Sequence, residues 1–295
     1  MARPKILLGL ILLAPTAGAD LEVQVEPANR AVKANIEAYV GPVEAGSREE
    51  LRRLFDHADE QATLAAQALG FYHSRNYLRF SGTEDDPTLI IRVDLGTSVR
   101  LNKINVDIQG EGKGTDAFAL KLPENLAPGK RLNHDSYESI KTQINNRALR
   151  YGYFSGQYLQ HQLLVNPDAN QADVDIAYLT GQRYKLGEVT YSDTIFSDDL
   201  LNRFIPFEPG VPYDAELVGQ FNRDLLSSGY FNGVQVIAPV DQAVGDVIPV
   251  QVSLTERDPH SLGFGGGFST DVGVRTKATW DQHWLNPQGH SRGAS

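Results

Sequence analysis

Apolar positions along this chain alternate between two periods, and the alternation repeats. Leu51, Leu54, Phe55, Ala58, Ala65 and Leu69 recur at helical spacing. Tyr137, Ile140, Ile144, Ala148 and Tyr151 do the same, as do Leu217, Phe221 and Leu225. Each set lines one face of a 3.6-residue period and predicts a helix with one buried stripe. A glycine-aromatic-aromatic tripeptide follows each helix: Gly70-Phe71-Tyr72, Gly152-Tyr153-Phe154 and Gly229-Tyr230-Phe231, spaced 82 and 77 residues apart. Glycine just past the last turn is the expected left-handed stop. Both aromatics after it are expected to fold back onto their own unit's core.

After each tripeptide the period drops to two. Residues near Tyr77 and Arg79, near Gln160 and Gln162, and from Val234 to Val240 predict strands. A second strand follows in each unit, at Leu89 to Leu95, Val174 to Leu179 and Val247 to Leu254. Val174, Ile176 and Tyr178 alternate with Asp173, Asp175 and Ala177, as suits a strand with one wet face. Connectors repeat too, since Gly96, Leu101 and Ile104 match Gly181, Leu186 and Val189 at the same offsets. Shorter helical pieces are expected at Phe118 to Asn125 and Leu200 to Ile205, before Pro128-Gly129 and Pro209-Gly210. From Gly129 to Gly152 is 23 residues, and from Gly210 to Gly229 is 19. The difference is about one helical turn, which keeps the apolar face aligned. The repeat reads β-α-α-β-β over about 80 residues, an α+β fold in three tandem copies.

The end of the chain follows another rule. From Ser261 on, alternation is strict. Leu262, Phe264, Gly266 and Phe268 fall on one face; Gly263, Gly265 and Gly267 fall on the other. After a turn near Asp271 to Gly273, Val274, Thr276, Ala278, Trp280 and Trp284 are expected on one face, opposite Arg275, Lys277, Thr279, Asp281 and His283. An apolar face with aromatics toward one end, backed by a polar face, is the pattern of a membrane β-barrel strand. Two or three strands cannot close a barrel, so the chain is expected to break off just inside one.

Composition and charge narrow the function. The 295 residues are 41% apolar and 22% charged, ordinary for a folded chain, and at roughly 150 residues per domain predict more than one domain. Net charge is −10, without the clustered positive excess that nucleic-acid binding requires. No cysteine is present, which excludes disulfides, thiolate metal sites and a cysteine nucleophile. Arg3 and Lys5, an apolar run from Ile6 to Ala14 and Ala17-Gly18-Ala19 predict a cleaved signal peptide at residues 1–19. Nine helical residues span about 14 Å, too short for a hydrocarbon core of roughly 30 Å. Its removal takes the charge from −10 to −12.

Catalytic motifs fail on context. Gly289-His290-Ser291-Arg292-Gly293 matches the G-x-S-x-G elbow, yet it lies at a β-turn with two residues after it, so no triad can follow. Gly110, Gly112 and Gly114 follow a strand, but Thr115 stands where a dinucleotide fingerprint needs glycine. Seven histidines form no metal-binding spacing, and the acidic clusters at 56–60 and 84–86 lack the calcium-loop pattern. No segment points to an enzyme, a metal or a cofactor.

Three such units between a signal peptide and barrel strands resemble the polypeptide-transport-associated (POTRA) domains of the bacterial outer-membrane assembly family. ALRYGYF (148–154), IPFEPGVPY (205–213) and GGFSTDVGVRTKATWDQHWLNPQGHS (266–291) resemble its three-unit translocation and assembly module branch most. The resemblance implies POTRA units at 20–97, 98–181 and 182–257, followed by the start of a truncated outer-membrane barrel at 258–295. The family's barrel of some sixteen strands is otherwise missing. Implied partners are a TamB-like inner-membrane-anchored protein, unfolded outer-membrane protein or autotransporter clients, and outer-membrane lipid; nucleic acid is not among them. Residues Leu262, Gly263, Phe264, Gly265, Gly266, Gly267 and Phe268 are the expected partner-binding edge, with backbone pairing supplying sequence-tolerant affinity. A two-partner-secretion exporter, with two units, and a BamA-like insertase, with five, are the alternatives.

Overall fold

The computed structural model describes residues 20–43, 48–83, 87–269, 273–290 and 292–294. The predicted signal peptide and Ser291 lie outside the described residues. Twelve strands among the described residues form four three-stranded sheets. In the first sheet, β1 (Asp20–Glu26) and β2 (Arg75–Gly82) flank β3 (Pro87–Asp94). β1 runs parallel to β3 and β2 antiparallel to it, with Gln24, Arg92 and Tyr77 in one row. Helices α1 (Arg30–Val40) and α2 (Arg48–Ala68) make the crossover. Asn29 caps α1 by accepting from the Val32 amide at 3.2 Å. Leu89, Ile91 and Val93 on the central strand are fully buried against Ala58, Ala62, Ala65 and Ala66 of α2.

The second sheet repeats that order with β4 (Arg100–Gln109) and β5 (Gln157–Asn166) flanking β6 (Gln171–Leu179), beside α3 (His134–Tyr151). Tyr137, Ile140, Ile144 and Ala148 of α3 are buried, as their spacing predicts. The expected short helix at Phe118 to Asn125 is absent; a three-residue 3₁₀ turn, Asp116–Phe118, stands in its place. Pro123 explains this, because its ring disfavours helical backbone at Leu122. Gly112 is packed, not open to a phosphate: its amide donates to Thr180 Oγ1 at 3.0 Å, and a Cβ there would meet Phe118 at 2.7 Å.

In the third sheet β7 (Lys185–Tyr191) and β8 (Phe231–Ile237) flank β9 (Val247–Glu256), again with one parallel and one antiparallel pair. The helices are α4 (Asp198–Leu201), which a 3₁₀ turn at Asn202–Phe204 extends, and α5 (Ala215–Ser227). Phe221 and Leu225 of α5 are fully buried. Each such side chain contributes about 1.5–3 kcal/mol on leaving water. The fourth sheet is antiparallel throughout, in the order β10 (His260–Ser269), β11 (Gly273–Gln282), β12 (Arg292–Ala294).

The architecture is therefore a repeated β-α-α-β-β α+β fold followed by a meander of strands. By contact the chain divides into two compact bodies. One comprises Met1–Asn105, Leu122–Ser139 and Gln162–Asp175; the other Val106–Lys121, Ile140–His161 and Ile176–Ser295. The repeat is visible in individual hydrogen bonds. Leu101 donates to Lys130 O and accepts from Gly129; Leu186 donates to Val211 O and accepts from Gly210. Gly96 and Gly181, at matched places, have φ of 62° and 69°.

Candidate binding edges and joints

Two features could act on another chain: strand edges without a neighbour, and the contacts that the tripeptides make. Among the described residues, β10 pairs with β11 on one side and with nothing on the other. Its register sets Leu262 opposite Trp280, Phe264 opposite Ala278 and Phe268 opposite Val274. Leu262, Phe264 and Val274 are 69%, 84% and 76% exposed, so the apolar face of this pair is bare. The other face carries Asp281, Thr279, Lys277 and Arg275 opposite Ser261, Gly263, Gly265 and Gly267. A Cβ on Gly263 would come within 2.5 Å of Thr279 Oγ1, so the threonine side chain would have to turn aside. Gly265, Gly266 and Gly267 have room for one. Their contribution to the edge is a thin, adaptable backbone.

Trp284 departs from expectation. β11 ends at Gln282, and the Trp284 indole does not share the Trp280 face. It packs edge-on against Phe196 at 5.9 Å and donates to Arg257 O at 2.9 Å. Trp280 instead stacks on His260 at 5.7 Å.

The tripeptides also depart from expectation. Their glycines do end the long helices, with φ of 86°, 78° and 80° at Gly70, Gly152 and Gly229. Only one aromatic of each pair is buried, however: Phe71, Tyr153 and Phe231. The other ring of each pair is only partly buried and contacts a later segment; Tyr230 does so while still packing on its own unit's core, 5.2 Å from Phe196 ring to ring. Tyr72 meets His134, the first residue of α3, with Oη 2.8 Å from Nε2. Phe154 lies 5.6 Å from Tyr184 and 5.0 Å from Tyr213, ring to ring. Tyr230 donates from Oη to Gly289 O at 2.7 Å. The order is reversed in the third copy, where the second aromatic is the buried one. Strand β8 begins two residues after Gly229, whereas β2 and β5 begin five residues after their glycines. With the intervening turn lost, the facing of the two rings flips.

Electrostatics reinforces these joints. Arg183 donates from Nε to Tyr151 O and from its guanidinium to Tyr213 O, both at 2.9 Å. Arg131 lies 5.0 Å over the Phe71 ring. Burial pushes the Tyr72 phenol up and the His134 imidazole down, the latter against Asp135 and Glu138, which pull it back. Burial also raises Tyr213, aided by Asp214. His290, from the rejected elbow, is exposed and pairs through Nδ1 with Asn286 Oδ1 at 3.0 Å.

Sequence reasoning found every tripeptide but missed what the less buried ring touches. Tyr184 and Val99 both lie three residues after a matched glycine, a signal that could have exposed two of the joints.

Comparison with known proteins places these features. Residues 22–95 match the model "POTRA domain TamA domain 1", and residues 184–257 match the POTRA model described as "Surface antigen variable number repeat". The outer membrane protein assembly factor BamA of Neisseria meningitidis serogroup B is 23% identical over 229 residues, 75% of this chain and 29% of the relative. BamA of Buchnera aphidicola is 23% identical over 172 residues, 57% of this chain and 27% of the relative. This chain thus spans under a third of the curated relatives it matches. The crystal structure of BamA from Haemophilus ducreyi lacking POTRA domains 1–3 superposes with a TM-score of 0.53 at 17% identity, over 66% of this chain and 36% of the other.

Proposed function

Because this chain carries POTRA domains and is a homologue of the outer-membrane assembly factors, we propose that it is a non-enzymatic assembly and translocation factor that works by capturing strands. It is a protein of the Gram-negative outer membrane with its POTRA domains in the periplasm. Its POTRA units lie at 20–97, 98–181 and 182–257, and residues from 258 begin the barrel. Outer strands of each small sheet, and above all β10, accept an extended client by backbone pairing, which tolerates many sequences. Clients are autotransporters and other outer-membrane proteins, delivered with a TamB-like partner anchored in the inner membrane. The match of residues 22–95 to a TamA first domain supports this branch over a central BamA-like insertase.

The observation that carries the reading is the β10–β11 pair. Among the described residues it presents a bare apolar face, a polar reverse face and an outer edge without a strand, after three sheets that each belong to a β-α-α-β-β repeat. An arginine on the lipid side of such a strand costs about 2–4 kcal/mol near mid-membrane and little on the lumen side. Leu262→Arg and Phe264→Arg in the full-length protein should therefore lower its recovery in the outer membrane and reduce autotransporter display. Lys277→Glu, on the reverse face, should leave both intact. Normal insertion of both arginine variants would overturn the reading.

A further inference from the structure

One short relay of hydrogen bonds occurs three times in the molecule, each time inside one compact body. In the first, the Val99 amide donates to Gly70 O at 2.8 Å, and Val99 O accepts from the Leu132 amide at 2.9 Å. In the second, the Tyr184 amide donates to Gly152 O at 2.9 Å, and Tyr184 O accepts from the Tyr213 amide at 2.8 Å. Both join the end of one long helix, the connector after the central strand, and the residue two before the next long helix. There is no slack at either place. A Cβ on Gly70 would meet Leu132 O at 2.6 Å, and one on Gly152 would meet Tyr213 Cβ at 2.6 Å.

Among the described residues the third relay has no following helix to join, and its last link changes chemistry. The Arg257 amide donates to Tyr230 O at 2.8 Å, and Arg257 O accepts from the Trp284 indole Nε1 at 2.9 Å. Its acceptor is one residue beyond the glycine because the turn after α5 is shorter. Close approach moves to the other side of the contact: a Cβ on Gly289 would meet Tyr230 Oη at 2.7 Å and Leu200 at 2.9 Å. The Ser197 amide also donates to Pro287 O at 3.1 Å.

We infer that the third β-α-α-β-β unit treats the turn at residues 283–290 as if it were the next unit, and that Trp284, with Tyr230, latches that turn to it. The latch makes the third unit and the β10–β11 pair move as one piece, so an event at the strand edge is felt in the unit beneath. It rests on the hydrogen-bond pattern alone, not on the identity of client or partner.

Amide hydrogen exchange on the full chain tests this. Trp284→Phe keeps a ring against Phe196 but removes the donor, and Tyr230→Phe removes only the hydroxyl. Each lost bond should speed exchange in the 283–290 turn by about fivefold, while β9 amides stay protected. Trp280→Phe, outside the relay, should change nothing in the turn. Unchanged turn exchange in both latch variants would overturn the inference. So would equal loss in Trp280→Phe, or loss spread evenly over β9, which would make these bonds part of the unit's own core.

Discussion

At the scale of single residues, the glycine-aromatic-aromatic tripeptide divides its labour. One ring is fully buried in the core and the other, partly buried, contacts a later segment, and which does which depends on how soon the next strand begins. Phe231 is 4% exposed and sits edge-on to Phe196 at 5.3 Å, whereas Phe154 is half-buried among Tyr184 and Tyr213. Phe231→Ala should therefore cost about 3–5 kcal/mol of stability, as for other buried phenylalanines. Phe154→Ala should cost less, since its ring is only partly buried. Urea midpoints of the two variants check this, and equal losses would contradict the division. Sequence spacing made the rings visible as a pair of anchors. It could not assign their directions, because that depends on a turn of four residues in two copies and one residue in the third.

At the scale of elements, most of the architecture was legible. Ile140, Ile144 and Ala148 are buried as helical spacing requires, and Gly96 and Gly181 turn with positive φ as the matched connectors require. Two elements were not legible. The short helix before Pro128-Gly129 shrinks to a 3₁₀ turn, because local apolar spacing said nothing of Pro123. Trp284 leaves its strand face for Phe196, because alternation cannot show where a strand ends. The first joint adds a prediction in pH. Burial lowers the His134 pKa from its ordinary 6.5, so the unfolded chain binds a proton there more readily than the folded one. The contribution of neutral His134 is then complete above about pH 6.5 and is lost as pH falls below it. Denaturation from about pH 8 to pH 5 should show a drop in stability that His134→Gln flattens. Parallel curves for the two proteins would assign the drop to other groups.

At the scale of the whole molecule, three small sheets with wet faces lead into a strand pair that is apolar on one bare face. The polar repeats suit water and the last strands suit lipid, and the hydrogen-bonded joints recur inside each compact body. Edges recur in every sheet, but among the described residues β10 alone combines an open edge with three glycines facing its neighbour's polar row, at 263, 265 and 267. That combination makes it the proposed strand-capture site. These 295 residues contain no cysteine, so none of their own competes with an introduced one. The most direct test is a single-cysteine crosslinking scan of the full-length protein in cells making a cysteine-bearing autotransporter client. The scan would cover Ser261 to Phe268 alongside the outer strands β2, β5 and β8. Strand capture predicts client adducts along Ser261 to Phe268, strongest while the client is being assembled. Adducts confined to β2, β5 and β8, with none from β10, would contradict it.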